Sequence, residues 1–387
     1  MSIIKSILDT DIYKLTMGQA VAQKFPHAHA KYKFINRGGT KFPNYIGPAI
    51  RDEIDKMANL KLSNIEQSWL GWSCSFFTPV YLDFLKGYRY NPNEVYVSCK
   101  DGDLEVLIEG PWYRTILWEV KLMAIISELY NRDSKQPTID DVFSAHDKIY
   151  TLNKKGCKVA DFGTRRRFHQ QHQDSVVKTC SKIPGFVGTS NVYLAMKHGV
   201  KSIGTQGHEW IMFHGAKYGY REANRIALKN WVDVYHGNLG IALTDTFGTN
   251  DFFKAFGSKY SKLFDGVRHD SGDPFKFAGQ VFKHYTNLGI DPSSKTIVFS
   301  DGLNIKKALE LQKLCNNINI KCSFGIGTNL TNDIEGVIPL NMVIKMTHCK
   351  PYGESEWLPV VKLSDDEGKH TGDPEEIKLC QKTVRNY

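Results

Sequence analysis

Through the middle of the chain, short apolar runs recur and each stops at a polar cluster. The runs are Lys158-Val159-Ala160, Lys201-Ser202-Ile203-Gly204, Ile241-Ala242-Leu243-Thr244, Gly266-Val267-Arg268, Thr296-Ile297-Val298-Phe299 and Cys322-Ser323-Phe324-Gly325-Ile326, with Phe186-Val187 and Met342-Val343-Ile344 as weaker candidates. Helix-length segments separate them, and alternating βα units at this spacing predict a parallel sheet. Seven or eight such units predict a closed barrel. A doubly wound open sheet is the main competitor, but no G-x-G-x-x-G opens a first βα turn. Ahead of this region, Lys31 to Asn36 alternates like a half-buried strand, and Trp112 to Leu129 reads as one largely buried helix. The polar stretch Asn131 to Pro137 marks a boundary. The pattern thus divides the chain into an N-terminal α/β domain (1–137), a barrel domain (138–346) and a C-terminal segment (347–387) that packs back on the first domain.

Polar residues follow the runs: Asp161, His208, Asp245, His269 with Asp270, Ser300 with Asp301, and Gly327 with Thr328. In a barrel all of these meet on the rim where catalytic loops sit. His208 stands in the Gly/Thr turn Gly204-Thr205-Gln206-Gly207-His208, a poor place for core packing. It is either a satisfied structural histidine or a nucleophile and base. Asp270-Ser271-Gly272-Asp273-Pro274 sets two carboxylates and a hydroxyl on one turn. Either it is an Asx turn, or its carboxylates hold a ribose diol or support Mg²⁺ on a diphosphate. The segments Asp245 to Asp251 and Ser300 to Asn304 have the same make-up. Gly325 and Gly327 flank Ile326 where a late strand enters a helix, which lets backbone amides face a phosphate.

Composition narrows the partners. The 387 residues are 41% apolar, enough for a sizeable core, and carry a formal charge of +9. That charge suits anionic ligands without separating nucleic acid from small phosphates. Its densest run, Arg165-Arg166-Arg167, is a solvated face or an anion clamp. Eight scattered cysteines with no C-x-x-C spacing indicate reduced thiols. His27 with His29, and His169 with His172, are only loosely like metal spacings. No apolar stretch approaches the roughly 18 residues of a membrane span and no leader pattern opens the chain, so a soluble, cytoplasmic protein is expected.

The segments LDTDIYKLTMGQAV (8–21), FINR (34–37), DFGTRRR (161–167), GTSN (188–191), GTQGHEW (204–210), LTDTFGTNDF (243–252), VRHDSGDP (267–274), FSDGLN (299–304), FGIGTNLTND (324–333) and KLSDDEGKHTGDPEE (362–376) resemble, in order, those of the shorter microbial and fungal nicotinate phosphoribosyltransferases. The resemblance implies an irregular α/β barrel beside an N-terminal α/β domain. It also implies transfer of 5-phosphoribosyl from PRPP to nicotinate, with ATP hydrolysis coupled through a phosphohistidine at His208 and with Mg²⁺ as cofactor. His208, Asp270 and Asp245 form the implied catalytic set, with Asp270 on ribose hydroxyls. Tyr13 and Phe162 are candidates for stacking on nicotinate, and Arg268 and Arg165 for its carboxylate. Ser190, acidic in the relative that uses nicotinamide, favours the acid. Gly325, Gly327 and Thr328 with Asp301 and Gly302 would hold the 5′-phosphate, and Arg37 a phosphate or diphosphate. Two departures from the family are Gly207 in place of Ala and Lys121 in place of Pro. Relatives lend the Tyr13-type residue across a dimer in some cases and are monomers in others. A nicotinamide or quinolinate phosphoribosyltransferase is the nearest alternative. From other classes, the alternatives are a flavin-binding barrel oxidoreductase and, on net charge alone, a nucleic-acid-binding protein.

Overall fold

The computed structural model describes residues 2–385. Two sheets organise it. The first is antiparallel and built from β1 (His29–Asn36), β2 (Val95–Lys100), β3 (Asp103–Pro111), β10 (Met342–Lys350) and β11 (Leu358–Pro359), in the order β11-β10-β1-β3-β2. The second contains β4 (Val159–Asp161), β5 (Phe186–Thr189), β6 (Ile241–Leu243), β7 (Gly266–His269), β8 (Thr296–Phe299) and β9 (Lys321–Ile326), all parallel, in the order β5-β4-β9-β8-β7-β6. The chain is therefore a mixed α/β protein.

The strand patterns explain the division. Alternation in β1 buries Ala30, Tyr32 and Phe34 on one face, as expected of a half-buried antiparallel strand. The parallel strands are short and mostly buried, because helices cover them. Two runs depart from the pattern expected of them. Met342-Val343-Ile344 does not continue the parallel series; it opens β10, which pairs with β1 from Asn36 to His29. Its alternating burial is that of a strand with one covered face. Lys201 to Gly204 is not a strand either. Ser202 makes a single parallel bridge to Thr189, and Gly204 turns away at φ +155° where a β-carbon would press on Ile12. Among the described residues the parallel sheet thus runs from β5 to β6 with no ladder joining those two strands.

The stretch expected to be one helix from Trp112 is two, Trp112–Thr115 and Glu119–Asn131, with a break at Ile116 to Trp118. The second is buried almost throughout and touches both halves of the fold, β10 on the antiparallel side and the turn Thr164–Arg166 after β4 on the parallel side. An aromatic cluster joins those halves: Trp112 stacks on Phe213 with ring centroids 4.3 Å apart, and Phe25 meets Phe213 at 4.6 Å. After β11 the chain crosses to the parallel half, where Leu363 and Ser364 donate their amides to the Thr246 carbonyl. Among the described residues all eight cysteines are free, and no helix is long and apolar enough to cross a membrane.

Candidate functional site

The parallel strands end together, and a cleft opens at their carboxyl edge, facing β10. Its lining includes Tyr13, Phe162, Arg165, Ser190, His208, Arg268, Asp270, Gly302, Gly325, Gly327 and Thr328. The predicted residues outside the lining are Asp245, which is fully buried beneath His208, and Arg37 and Asp301, which lie near one another beyond the cleft's edge.

One end of the cleft is built for a flat ring. Tyr13 enters from the first turn of the helix Ile12–Lys24, held there by the Ile12 amide, which donates to the Ser190 carbonyl at 2.8 Å. Phe162 leaves β4 with its amide donating to the Ile326 carbonyl. A β-carbon at Gly325 would come within 2.4 Å of the Phe162 ring, so this glycine makes room for an aromatic wall. The guanidinium of Arg165 lies 5.9 Å from the centre of the Tyr13 ring, within cation–π range. Arg268 brings a buried Nε with no protein partner. An unpaired buried guanidinium N–H is costly unless a ligand accepts from it.

The three consecutive arginines divide their work. Arg165 and Arg166 line the cleft. Arg167 is wholly buried, with both terminal nitrogens donating to Asp9 at 2.7 and 3.0 Å and Nε to Glu128 at 2.8 Å. It fixes the loop that carries the other two. His169 is likewise structural, its Nδ1 accepting from the His172 amide as the cap of the helix Gln170–Cys180.

At the other end, His208 starts the helix His208–Tyr218. Its Nδ1 is 3.0 Å from Thr246 Oγ1, and its Nε2 is 3.0 Å from Asp270 Oδ2 and 2.9 Å from Lys362 Nζ. Burial, and next the Lys362 ammonium, push the imidazole down to about 4 against the pull of Asp245 and Asp270. The ring is therefore neutral near pH 7, and its Nε2 can either donate to Asp270 or accept from Lys362, not both. Burial alone would raise Asp270, but Arg268, His208 and Lys362 outweigh it and hold the carboxyl well below its usual range. Ser300 Oγ donates to the other oxygen at 2.7 Å. Asp245 accepts from Ser271 through Oδ2, while its buried Oδ1 has no partner. His208, Asp245 and Asp270 place one ligand atom each within 4.8 Å of one another.

Several groups at the site are not singled out by sequence. Lys362 reaches His208 across 154 positions from the C-terminal segment. Lys345, on β10, lines the cleft and is pushed down to about 8 by burial. Asp11, also in the lining, accepts from Ser190 Oγ at 2.7 Å. Glu209, beside the histidine, is anchored by Lys14, Tyr32 and Trp112, and Lys14 also meets Glu119 at 2.5 Å. That buried cluster ties the helix of His208 to the antiparallel half. The only local signal for it is charge inside apolar surroundings, which a sequence does not resolve from surface charge. Gly207, one of the two departures from the family, has an ordinary extended φ of −122° and abuts the Tyr13 ring.

Family models match most of the chain. Residues 157–386 match the nicotinate phosphoribosyltransferase family and residues 8–127 its N-terminal domain. A nicotinate phosphoribosyltransferase of Chromohalobacter salexigens is 51% identical over 98% of both chains, and one of Methanosarcina mazei is 47% identical over 98% of both. The crystal structure of nicotinate phosphoribosyltransferase from Porphyromonas gingivalis superposes with a TM-score of 0.96 at 44% identity, covering 99% of this chain and 100% of that one. The Vibrio cholerae structure gives 0.90 at 33% identity, over 100% and 94%.

Proposed function

The chain belongs to the nicotinate phosphoribosyltransferase family, and from that premise we propose that it joins nicotinate to the 5-phosphoribosyl group of PRPP, releasing diphosphate, in the salvage of NAD. The observation that carries the assignment of the base is the pairing of two aromatic side chains, Tyr13 and Phe162, with a buried guanidinium Nε on Arg268 that has no protein partner. A flat anion satisfies all three at once. Arg165 supplies the second positive charge. In this reading Asp270 faces the ribose, and Gly302, Gly325, Gly327 and Thr328 border the 5′-phosphate. Asp301, paired with Lys369 at 3.0 Å, stays with the 5′-phosphate group, and Arg37 with a phosphate or diphosphate.

Ribosyl transfer develops positive charge on the sugar as diphosphate departs, so holding both partners in line matters more than moving a proton. Asp270, kept ionised, suits the electron-poor sugar. Mg²⁺ fits the donor set through Asp245, whose buried Oδ1 is unpartnered, and Asp270. When bound, it would neutralise diphosphate charge. We further assign the coupling of ATP to His208. Neutral and flanked by Lys362, its ring nitrogen can attack the γ-phosphorus, forming an N–P bond as ADP leaves; water later cleaves that bond to release phosphate. While it lasts, the phosphoryl group adds about two negative charges beside the diphosphate region.

Tyr13 and His208 come from one chain, which supports a site complete in a monomer. The pairing of 201–203 with β5, and Thr205 Oγ1 donating to the Ile241 carbonyl at 2.8 Å, support an irregular barrel whose gap between β5 and β6 is bridged without a regular strand. The test is His208→Asn given ATP labelled in its γ-phosphate. No label should reach the protein, and ATP should no longer raise the yield of mononucleotide. Full ATP-coupled turnover by the variant would remove His208 from the role.

A further inference from the structure

The hydroxyl of Ser190 has one proton, and in this structure that proton goes to Asp11. Ser190 Oγ donates to Asp11 Oδ1 at 2.7 Å, and both residues border the cleft beside Tyr13 and Arg165. An ionised Asp11 only accepts, so the Ser190 oxygen then offers a ligand nothing but lone pairs. Such a surface receives an amide N–H and repels a carboxylate. The hydroxyl alone therefore does not select the acid; it relays the state of the residue behind it.

We propose that Asp11 is a specificity-determining residue, and that nicotinate is bound with Asp11 protonated, its O–H donating to Ser190 Oγ and the Ser190 hydroxyl donating in turn to the ligand carboxylate. The proton balance is simple. One proton from solvent ends on Asp11, the Ser190 hydroxyl turns toward the ligand, and no covalent bond changes. This inference rests on nicotinate as the base and names the residue that chooses it. Nicotinamide needs no proton uptake, because the ionised pair already presents acceptors to its amide.

The surroundings of Asp11 are compatible with either state. It is 2% exposed, and burial raises its carboxyl above the ordinary range, opposed first by Arg165 and then by hydrogen bonds from Ser190 and Thr164. Arg165 Nε lies 3.5 Å from its Oδ2. From the helix Glu119–Asn131, Glu119 opposes its ionisation and Lys121 favours it; Asp161, at the end of β4, and Tyr13, on its own helix, also face it. A second carboxylate arriving through Ser190 adds a like charge, which raises the proton affinity of Asp11 further.

The test is calorimetric titration of nicotinate into wild type and Asp11→Asn near neutral pH, in two buffers of unlike ionisation enthalpy, with nicotinamide as the companion ligand. Wild type should take up about one proton with nicotinate, so that its Kd rises about tenfold per pH unit above the free-state pKa of Asp11. It should take up none with nicotinamide. Asp11→Asn, whose amide can donate to Ser190 permanently, should bind nicotinate with no proton uptake. If Asp11→Asn does not fold, Ser190→Ala serves, because removing the relay oxygen should also abolish the uptake. Nicotinate binding to wild type without proton uptake, or uptake that persists in either variant, overturns the proposal while leaving nicotinate as the substrate. Failure of wild type both to bind nicotinate and to form its mononucleotide would instead remove the base assignment and the inference with it.

Discussion

At position 325 the absence of a side chain matters as much as the presence of one at 162. The Phe162 ring occupies the space that a β-carbon on Gly325 would fill. Gly325→Ala should therefore displace the aromatic wall and raise the KM for nicotinate about tenfold, equivalent to about 1.4 kcal/mol of lost stacking. The KM for PRPP should change less. An unchanged nicotinate KM in a folded variant would mean that Phe162 is not a wall of the base site. Residues like these were legible because each sits in a short motif at a strand end, where a polar or glycine-rich turn interrupts an apolar run. His208 was legible from its glycine-rich turn, although the run before that turn is not a strand. Asp11 and Lys362 were not, because their partners Ser190 and His208 lie 179 and 154 positions away and nothing local marks the pairing.

Among the elements, the parallel strands were read well wherever a β-branched run ended in a turn, as in β7 and β8. The misreadings have a common cause. Three apolar residues at Met342 specify a strand but not its partner, and only the antiparallel register with β1 decides which sheet receives it. The 201–204 run has strand-like composition, yet the backbone at Gly204 bends away to pack on the helix of Tyr13. The buried helix Glu119–Asn131 carries the least expected residue, Lys121, whose Nζ is buried with no hydrogen-bond partner and lies 5.4 Å from the Tyr90 ring centre. Burial pushes this lysine down to about 7, against the pull of Asp9 and Asp11. The unfolded chain keeps it protonated up to its ordinary value, so between the two values the unfolded state holds more protons and stability rises with pH. Below about 7 the penalty is fully present. Lys121→Met should raise stability at pH 7 by on the order of 1–3 kcal/mol. That advantage should shrink as pH climbs, as denaturant melts at several pH values would show. A variant no more stable than wild type at neutral pH would mean that water or a partner satisfies the ammonium.

Over the whole molecule, neither sheet makes the site alone. The parallel half supplies Phe162, His208, Arg268 and Asp270, the N-terminal helix supplies Asp11 and Tyr13, and β10 and the segment after β11 add Lys345 and Lys362. The Trp112, Phe213 and Phe25 cluster and the Lys14, Glu119 and Glu209 cluster hold these parts in one arrangement. The cleft's lining sets Arg165, Arg166, Arg268 and Lys345 against Asp11, Glu119, Glu209 and Asp270, so the account rests on where each charge sits beside the aromatic walls and not on the net charge of the chain. The most direct test of that account is chromatographic analysis of the products formed from PRPP and Mg²⁺ with nicotinate or nicotinamide, each with and without ATP. Nicotinate mononucleotide should form preferentially, with ATP raising its yield as ADP accumulates. Mononucleotide formed from nicotinamide but not from nicotinate would contradict the account.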